Sequence, residues 1–254
     1  MRAAIIIPAR FASTRFPGKP LHLLAGKPMI QHVWERCRAS TRAGRVLIAT
    51  DDERIRDVAT GFGADVVMTR ADHPSGTDRI IEVMDAHPDL DAALNVQGDE
   101  PLIPPALMDR LIDALAGDAT LDMVTAAVPV DDAARMADPN VVKVVAAGDG
   151  TALYFSRSPI PYNRAAAAPD NRFLWHKGIY GYRREFLRRY KSWPPSPLEQ
   201  LEQLEQLRAL ENGARIRVLE TDDSSPGVDT PAQAAEVERL LAAEGYFPPV
   251  IQTR

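Results

Sequence analysis

Short, nearly continuous apolar runs alternate along the first hundred residues with segments whose apolar positions recur every three to four residues. The first run, AAIII at residues 3–7, has the length and composition of a strand. Pro28 opens a helical stretch in which Met29, Ile30, Val33, Trp34 and Cys37 share one face. RVLIAT (45–50) predicts a second strand, ending at Asp51 and Asp52, which suit a helix N-terminus. ADVVMT (64–69) predicts a third, followed by SGTDRIIEVMDA (75–86), where Ser75 and Asp78 have capping-box spacing. DAALNVQG (91–98) is a fourth. Strands this uniformly apolar, separated by helices, predict a doubly wound α/β fold with a mostly parallel sheet covered on both faces. In such sheets ligands sit beyond the carboxyl ends of strands, so the loops after residues 7, 50, 69 and 97 are where chemistry is expected.

The pattern changes near residue 140. VVKVVAAGDGTALYFSR (141–157) is two strand-like runs around a Gly-Asp-Gly turn, which predicts an inserted β-hairpin, followed by an Ala/Pro/Asn-rich stretch at 163–171. The chain is read as a single domain over 1–254, with an inserted arm at about 141–175. FLWHKGIYGY (173–182) predicts a strand, Ser196 and Glu199 cap a helix over LEQLEQLEQLRALENG (198–213) closed by Gly213, RIRVLET (215–221) is a strand, and Thr230-Pro231 starts the last helix.

Composition narrows the class. At 254 residues with 45% hydrophobic content the chain is expected to bury a core. A net charge of −5 without a Lys/Arg run argues against a nucleic-acid surface. No stretch approaches 18 apolar residues, and the apolar run before Pro8 is too short for a signal peptide, so a soluble, cytoplasmic protein with no membrane partner is expected. The single cysteine, Cys37, lies in a helix stripe and is read as a buried thiol. The five histidines show no metal spacing, and no G-x-S-x-G is present.

The most polar loop follows the first strand. IIIPARFASTRFPGKPL (5–21) contains Gly18-Lys19, but Pro20 stands where a P-loop needs Ser or Thr, and there is no glycine five residues before Gly18. What remains is a side-chain cradle of Arg10, Ser13, Thr14, Arg15 and Lys19 at a strand exit, with enough donors to surround a triphosphate. Asp99 and Glu100 follow the fourth strand directly. A carboxylate there suits Mg²⁺ shared with phosphate oxygens, and Asp229 in GVDTP is a second candidate ligand. Arg157, His176, Lys177 and the acids Glu199, Glu202 and Glu205 lie on predicted edges, where surface charge is the simplest expectation.

Taken together, IIIPARFASTRFPGKPL, TRADHPSGTDR, NVQGDEP, ALYFSR, HKGIYGYR, SPLEQLEQLEQLR and GVDTP, in this order from residue 5 to 231, resemble the 3-deoxy-manno-octulosonate (Kdo) cytidylyltransferase family. The resemblance implies a nucleotide-diphospho-sugar transferase-like fold, a homodimer with its contact near the 141–157 hairpin and following arm, and CMP transfer from CTP to Kdo with Mg²⁺ and release of pyrophosphate, a step in lipopolysaccharide biosynthesis. By resemblance Arg10 and Lys19 match the catalytic triphosphate loop, with Pro8, Ala9, Ser13 and Arg15 nearby. Arg79 matches the cytidine side and Asp99 and Asp229 the metal. Gln97, Arg157, His176, Tyr180 and one acid of the LEQ segment, Glu202 rather than Glu205, match the sugar side. The loop motifs report CTP and metal better than the acceptor, which leaves a related acidic or amino sugar, of 8-amino-Kdo or sialic acid type, as the alternative. A nucleotide-sensing module without turnover would not need both Asp99 and Asp229.

Overall fold

A computed structural model describes residues 1–12, 16–164 and 172–243. In chain order these form β1 (Ala3–Ala9), a 3-10 turn (Lys19–Leu21), β2 (Leu23–Leu24), β3 (Lys27–Pro28), α1 (Met29–Arg38), β4 (Arg45–Thr50), α2 (Glu53–Gly61), β5 (Asp65–Met68), α3 (Gly76–Ala86), β6 (Ala92–Asn95) and α4 (Pro105–Gly117). They continue as β7 (Met123–Val130), α5 (Ala133–Ala137), β8 (Lys143–Ala146), β9 (Ala152–Ser156), β10 (Phe173–Arg183), α6 (Arg184–Tyr190), α7 (Pro197–Glu202), α8 (Glu205–Glu211), β11 (Ile216–Glu220) and α9 (Pro231–Ala243). The chain is α/β, as the alternation of runs predicts, and it falls into two compact units.

One unit comprises residues 3–87, 95–109 and 225 onward. Its strands β1, β4 and β5 run parallel in that order. Ile5, Ile6 and Ile7 are completely buried, which is why this strand reads as a solid apolar run; each contributes roughly 2 kcal/mol over an exposed position. The helix stripe is as expected, with Met29, Ile30, Val33 and Cys37 buried. Burial pushes the Cys37 thiol far up, so it is inert. Asp52 caps α2 by accepting from the Arg54 amide at 2.9 Å, and Ser75 caps α3 by accepting from the Asp78 amide at 3.2 Å. Thr230 and Gln233 cap α9 reciprocally: Gln233 N–H donates to Thr230 Oγ1 and Thr230 N–H to Gln233 Oε1. Phe16, Leu24, Met29, Leu102, Val228, Ala234, Val237 and Leu241 form one cluster, which ties three loops to α9.

The other unit holds residues 1–2, 88–94 and 110–224. Its sheet is mixed. β11 pairs parallel with β7, β7 antiparallel with β10, and β8 antiparallel with both β10 and β9, while β6 lies beside β10. β8 and β9 are the hairpin predicted around Gly148-Asp149-Gly150. The Ala/Pro/Asn-rich stretch after it falls, over residues 165–171, outside the described residues.

The LEQ segment departs from expectation. Instead of one helix over 198–213 there are two, separated by Gln203 in a left-handed conformation (φ 53°) and an extended Leu204. Leucines recurring every third residue drift around a helix of 3.6 residues per turn, so no single face can bury them all. Leu201 is left 80% exposed, and the break after Glu202 returns Leu204 and Leu207 to the interior.

Candidate active site

In the first unit the predicted residues collect at strand ends. Pro8 and Ala9 finish β1, and Gly98 lies so close beneath them that a β-carbon there would stand 3.0 Å from the Pro8 carbonyl oxygen. Any side chain there would force the loop carrying Gln97 and Asp99 a few tenths of an ångström away from β1. The Val228 amide then donates to the Asp99 carbonyl at 2.9 Å, and Val228 is wholly buried, which anchors Asp229 beside Asp99. Into this pair reaches Lys19, from the turn that follows the polar loop. Its Nζ lies 2.6 Å from Asp99 Oδ2 and 3.2 Å from Asp229 Oδ1. Residues 19, 99 and 229 thus form one charged cluster, although nothing in their spacing announces it.

Arg10 leaves β1 and donates through Nη2 to the carbonyls of His73 (2.7 Å) and Ser75 (3.3 Å), just ahead of α3. Beside it His73 contacts Glu82 through Nε2. Arg79, on α3, is fully buried. Its guanidinium lies 3.1 Å from Asp51 Oδ1 at the end of β4 and donates to the Thr69 hydroxyl after β5. Burial lowers its pKa and the Asp51 carboxylate opposes that shift, so the guanidinium stays charged. Gln97 donates weakly to Asn95 Oδ1 at 3.5 Å. Ser13 and Arg15, with Thr14, lie outside the described residues.

In the second unit the predicted sugar-side residues have different surroundings. The Glu202 carboxylate accepts from the Ser156 hydroxyl at 2.6 Å and from the Arg157 amide at 2.9 Å. The Arg157 guanidinium donates to three carbonyls, those of Glu202 (2.7 Å), Pro139 (3.0 Å) and Gln203 (3.4 Å). The acids expected together on one helix have three separate fates. Glu199 caps α7 through the Ser196 amide and takes a double hydrogen bond from Arg208, Glu202 binds the Ser156–Arg157 corner, and Glu205 begins α8.

His176 and Lys177, expected as surface charges, are buried. The reason is the strand itself: β10 lies between β7 on one side and β6 and β8 on the other. Lys177 sits 3.8 Å from Asp223 and over the Trp175 ring. His176 packs between the rings of Phe155 and Tyr180, and burial pushes its pKa down to about 3. Tyr180 also packs against Tyr182, and burial raises its hydroxyl pKa well above the usual value, keeping it neutral.

The profile of the family described as Cytidylyltransferase matches residues 4–216. The 3-deoxy-manno-octulosonate cytidylyltransferase of Chromohalobacter salexigens is 52% identical over 248 residues, covering 94% of this chain and 96% of the relative. The chain belongs to the 3-deoxy-manno-octulosonate cytidylyltransferase family. The enzyme of that name from Haemophilus influenzae is 48% identical, with 96% of this chain and 100% of the relative covered. A solved structure of CMP:2-keto-3-deoxy-manno-octonic acid synthetase complexed with CTP superposes with a TM-score of 0.92 at 47% identity, covering 96% of this chain and all of that one. A cytidylyltransferase from Leptospira borgpetersenii, 17% identical, shares the fold alone (TM-score 0.66; 96% of this chain, 87% of that one).

Sequence reasoning passed over two buried polar residues of this cytidylyltransferase-family chain that contact predicted sugar-side residues, Lys143 at the Arg157 carbonyl and Thr125 at His176. Lys143, fully buried, donates to the carbonyls of Asp138 (2.9 Å), Val141 (2.7 Å) and Arg157 (2.5 Å). Its signal was present in VVKVV, where a charge interrupts an otherwise apolar strand and must find partners if it faces inward. Thr125, inside the apolar run of β7, gave no such signal. Among the described residues no group of three or more His, Cys, Asp or Glu side chains converges as a metal cage. Asp99 and Asp229 nevertheless direct one oxygen each at a common cation, the Lys19 ammonium. Two such carboxylates fit Mg²⁺, which completes its shell with water and substrate phosphate oxygens.

Proposed function

We propose that the protein transfers CMP from CTP to 3-deoxy-D-manno-octulosonate, releasing pyrophosphate and forming CMP-Kdo for lipopolysaccharide biosynthesis. The observation that carries this reading is the 52% identity, across nearly the whole chain, to a relative bearing that name. The charged cluster at the strand ends supports it, because transfer of a nucleotidyl group demands positioned cations and carboxylates rather than a covalent partner.

In the reaction the anomeric hydroxyl oxygen of Kdo attacks the α-phosphorus of CTP. One P–O bond forms, the bond to the bridging oxygen breaks, the electron pair leaves with pyrophosphate, and the hydroxyl proton passes to solvent. Arg10 and Lys19 hold the triphosphate, with Ser13 and Arg15 beside them and Pro8, Ala9 and Arg79 lining the nucleotide. Asp99 and Asp229 would hold Mg²⁺, which would supply charge neutralisation at the phosphate oxygens. With metal held there, the Lys19 ammonium, which now lies between the two carboxylates, would be available to the triphosphate. Gln97, Arg157, His176, Tyr180 and Glu202 bind the sugar.

The chain acts as one functional domain in the cytoplasm and as a homodimer, with the segment at about 141–175 as its contact. Leu153 and Tyr162, 60% and 85% exposed on and after β9, support that assignment.

The test is pyrophosphate release from CTP and Kdo in the presence of Mg²⁺, with ATP, GTP and sialic acid as controls. Release with CTP and Kdo is expected, and Asp99→Asn is expected to abolish it at every practical Mg²⁺ concentration. Release with a different sugar but none with Kdo would refute the acceptor, and full activity of Asp99→Asn would remove Asp99 from the site.

A further inference from the structure

The motif HKGIYGYR breaks its own strand pairing. Opposite β7, His176 faces Ala127 and Tyr180 faces Thr125, so β10 takes four steps where β7 takes two. Gly178, at φ +70°, turns this bulge through the left-handed region that glycine enters without strain. The bulge swings the Ile179 carbonyl onto the Thr125 side chain, whose hydroxyl donates to it at 2.6 Å.

A threonine hydroxyl has one proton to give. With that proton committed to Ile179, the 2.9 Å contact between Thr125 Oγ1 and His176 Nε2 is made with a proton from the ring. The imidazole is neutral, since burial among the Phe155 and Tyr180 rings keeps its pKa near 3. A neutral imidazole with its proton on Nε2 carries a lone pair on Nδ1.

We infer that Thr125 is a positioning residue that locks His176 in the Nε2–H tautomer, so that Nδ1 accepts a hydrogen bond from a hydroxyl of the acceptor sugar. The inference rests on the sugar-side role proposed for His176 and sharpens it. A ring held this way reads a hydroxyl group; it does not act as a cation toward the sugar's carboxylate.

Nitrogen-15 NMR of the full-length, histidine-labelled protein tests the lock directly, with His176→Phe assigning the ring among the five histidines. The expected spectrum shows a protonated Nε2 and a bare Nδ1, unchanged between about pH 5.5 and pH 8, the window in which an ordinary histidine titrates. Thr125→Val keeps the side-chain shape and removes the hydroxyl. It is expected to lose the single-tautomer pattern and to raise KM for Kdo about tenfold, the loss of one hydrogen bond, while KM for CTP stays unchanged. Thr125→Ser is expected to restore both. A proton on Nδ1 in the wild-type protein overturns the inference, and that measurement decides alone if Thr125→Val does not fold. So does a Thr125→Val protein with the wild-type spectrum and wild-type KM for Kdo. An unchanged KM for Kdo in His176→Phe instead overturns the sugar-side role itself, and the spectrum still tests the lock.

Discussion

The Lys19 cluster in one unit and the Lys143 and His176 sites in the other treat polar side chains in opposite ways. In the unit built on β1, the charges of Lys19, Asp99 and Asp229 meet with 15%, 28% and 43% of their side-chain surfaces still exposed. In the unit built on β7 and β10, Lys143 is sealed among three carbonyls and His176 among rings, with every visible bond running to backbone or to a neutral hydroxyl. Part-solvated ion pairs are worth about 1 kcal/mol or less, so Lys19 changes partners cheaply. A buried ammonium has no cheap alternative, since each carbonyl it leaves loses its partner away from water. The first arrangement suits a site that must exchange cations and phosphates; the second suits one that must hold a fixed shape for an uncharged face of its ligand.

Lys19→Ala puts this contrast to its hardest test. Removing a cation from the proposed triphosphate cradle is expected to cost on the order of 10²–10³ in kcat/KM for CTP, the scale seen when one preorganised charge-stabilising donor is deleted. Stability in urea should change by about 1 kcal/mol or less. If the loss falls on Kdo affinity alone, Lys19 does not serve the nucleotide.

Lys143→Met reverses the profile. The thioether chain fills the same space but leaves the carbonyls of Asp138, Val141 and Arg157 without their shared donor. A stability loss of about 3 kcal/mol is expected in urea unfolding. A variant as stable as wild type would mean that the three carbonyls find other partners, and the contrast between the units would weaken.

These two lysines also mark how much of the structure and of the candidate site could be read from sequence. The rule that α/β sheets bind ligands at strand carboxyl ends led directly to Arg10, Lys19 and Asp99, and the caps at Asp52 and Ser75 were visible as residue types at fixed offsets. The meeting of Lys19 with Asp229 was not visible, because it depends on Val228 entering the core and on the Val228 amide reaching the Asp99 carbonyl. Lys143 was missed because its partners are carbonyls, which every residue carries. The LEQ helix was misread because cap signals at both ends outweighed a leucine period of three, which a continuous helix cannot bury on one side. His176 was assigned to an edge because a strand's place in a sheet is set by pairing rather than by its own residues.

The smallest expected effect concerns how the second unit keeps its shape. At Gly178 a β-carbon would meet no atom within 4 Å, so an alanine there clashes with nothing and pays only for its backbone angle, φ +70°. That cost is about 1–2 kcal/mol for a non-glycine residue. Urea unfolding of Gly178→Ala is therefore expected to show a loss of this size if the bulge is retained. The Thr125–Ile179 hydrogen bond should also survive, since the strain alters no partner and the bulge still presents the same carbonyl. A much larger loss would mean that the strand straightens rather than bears the strain, shifting Ile179 off Thr125 and removing the fixed geometry that sets this unit apart from the exchangeable charges around Lys19.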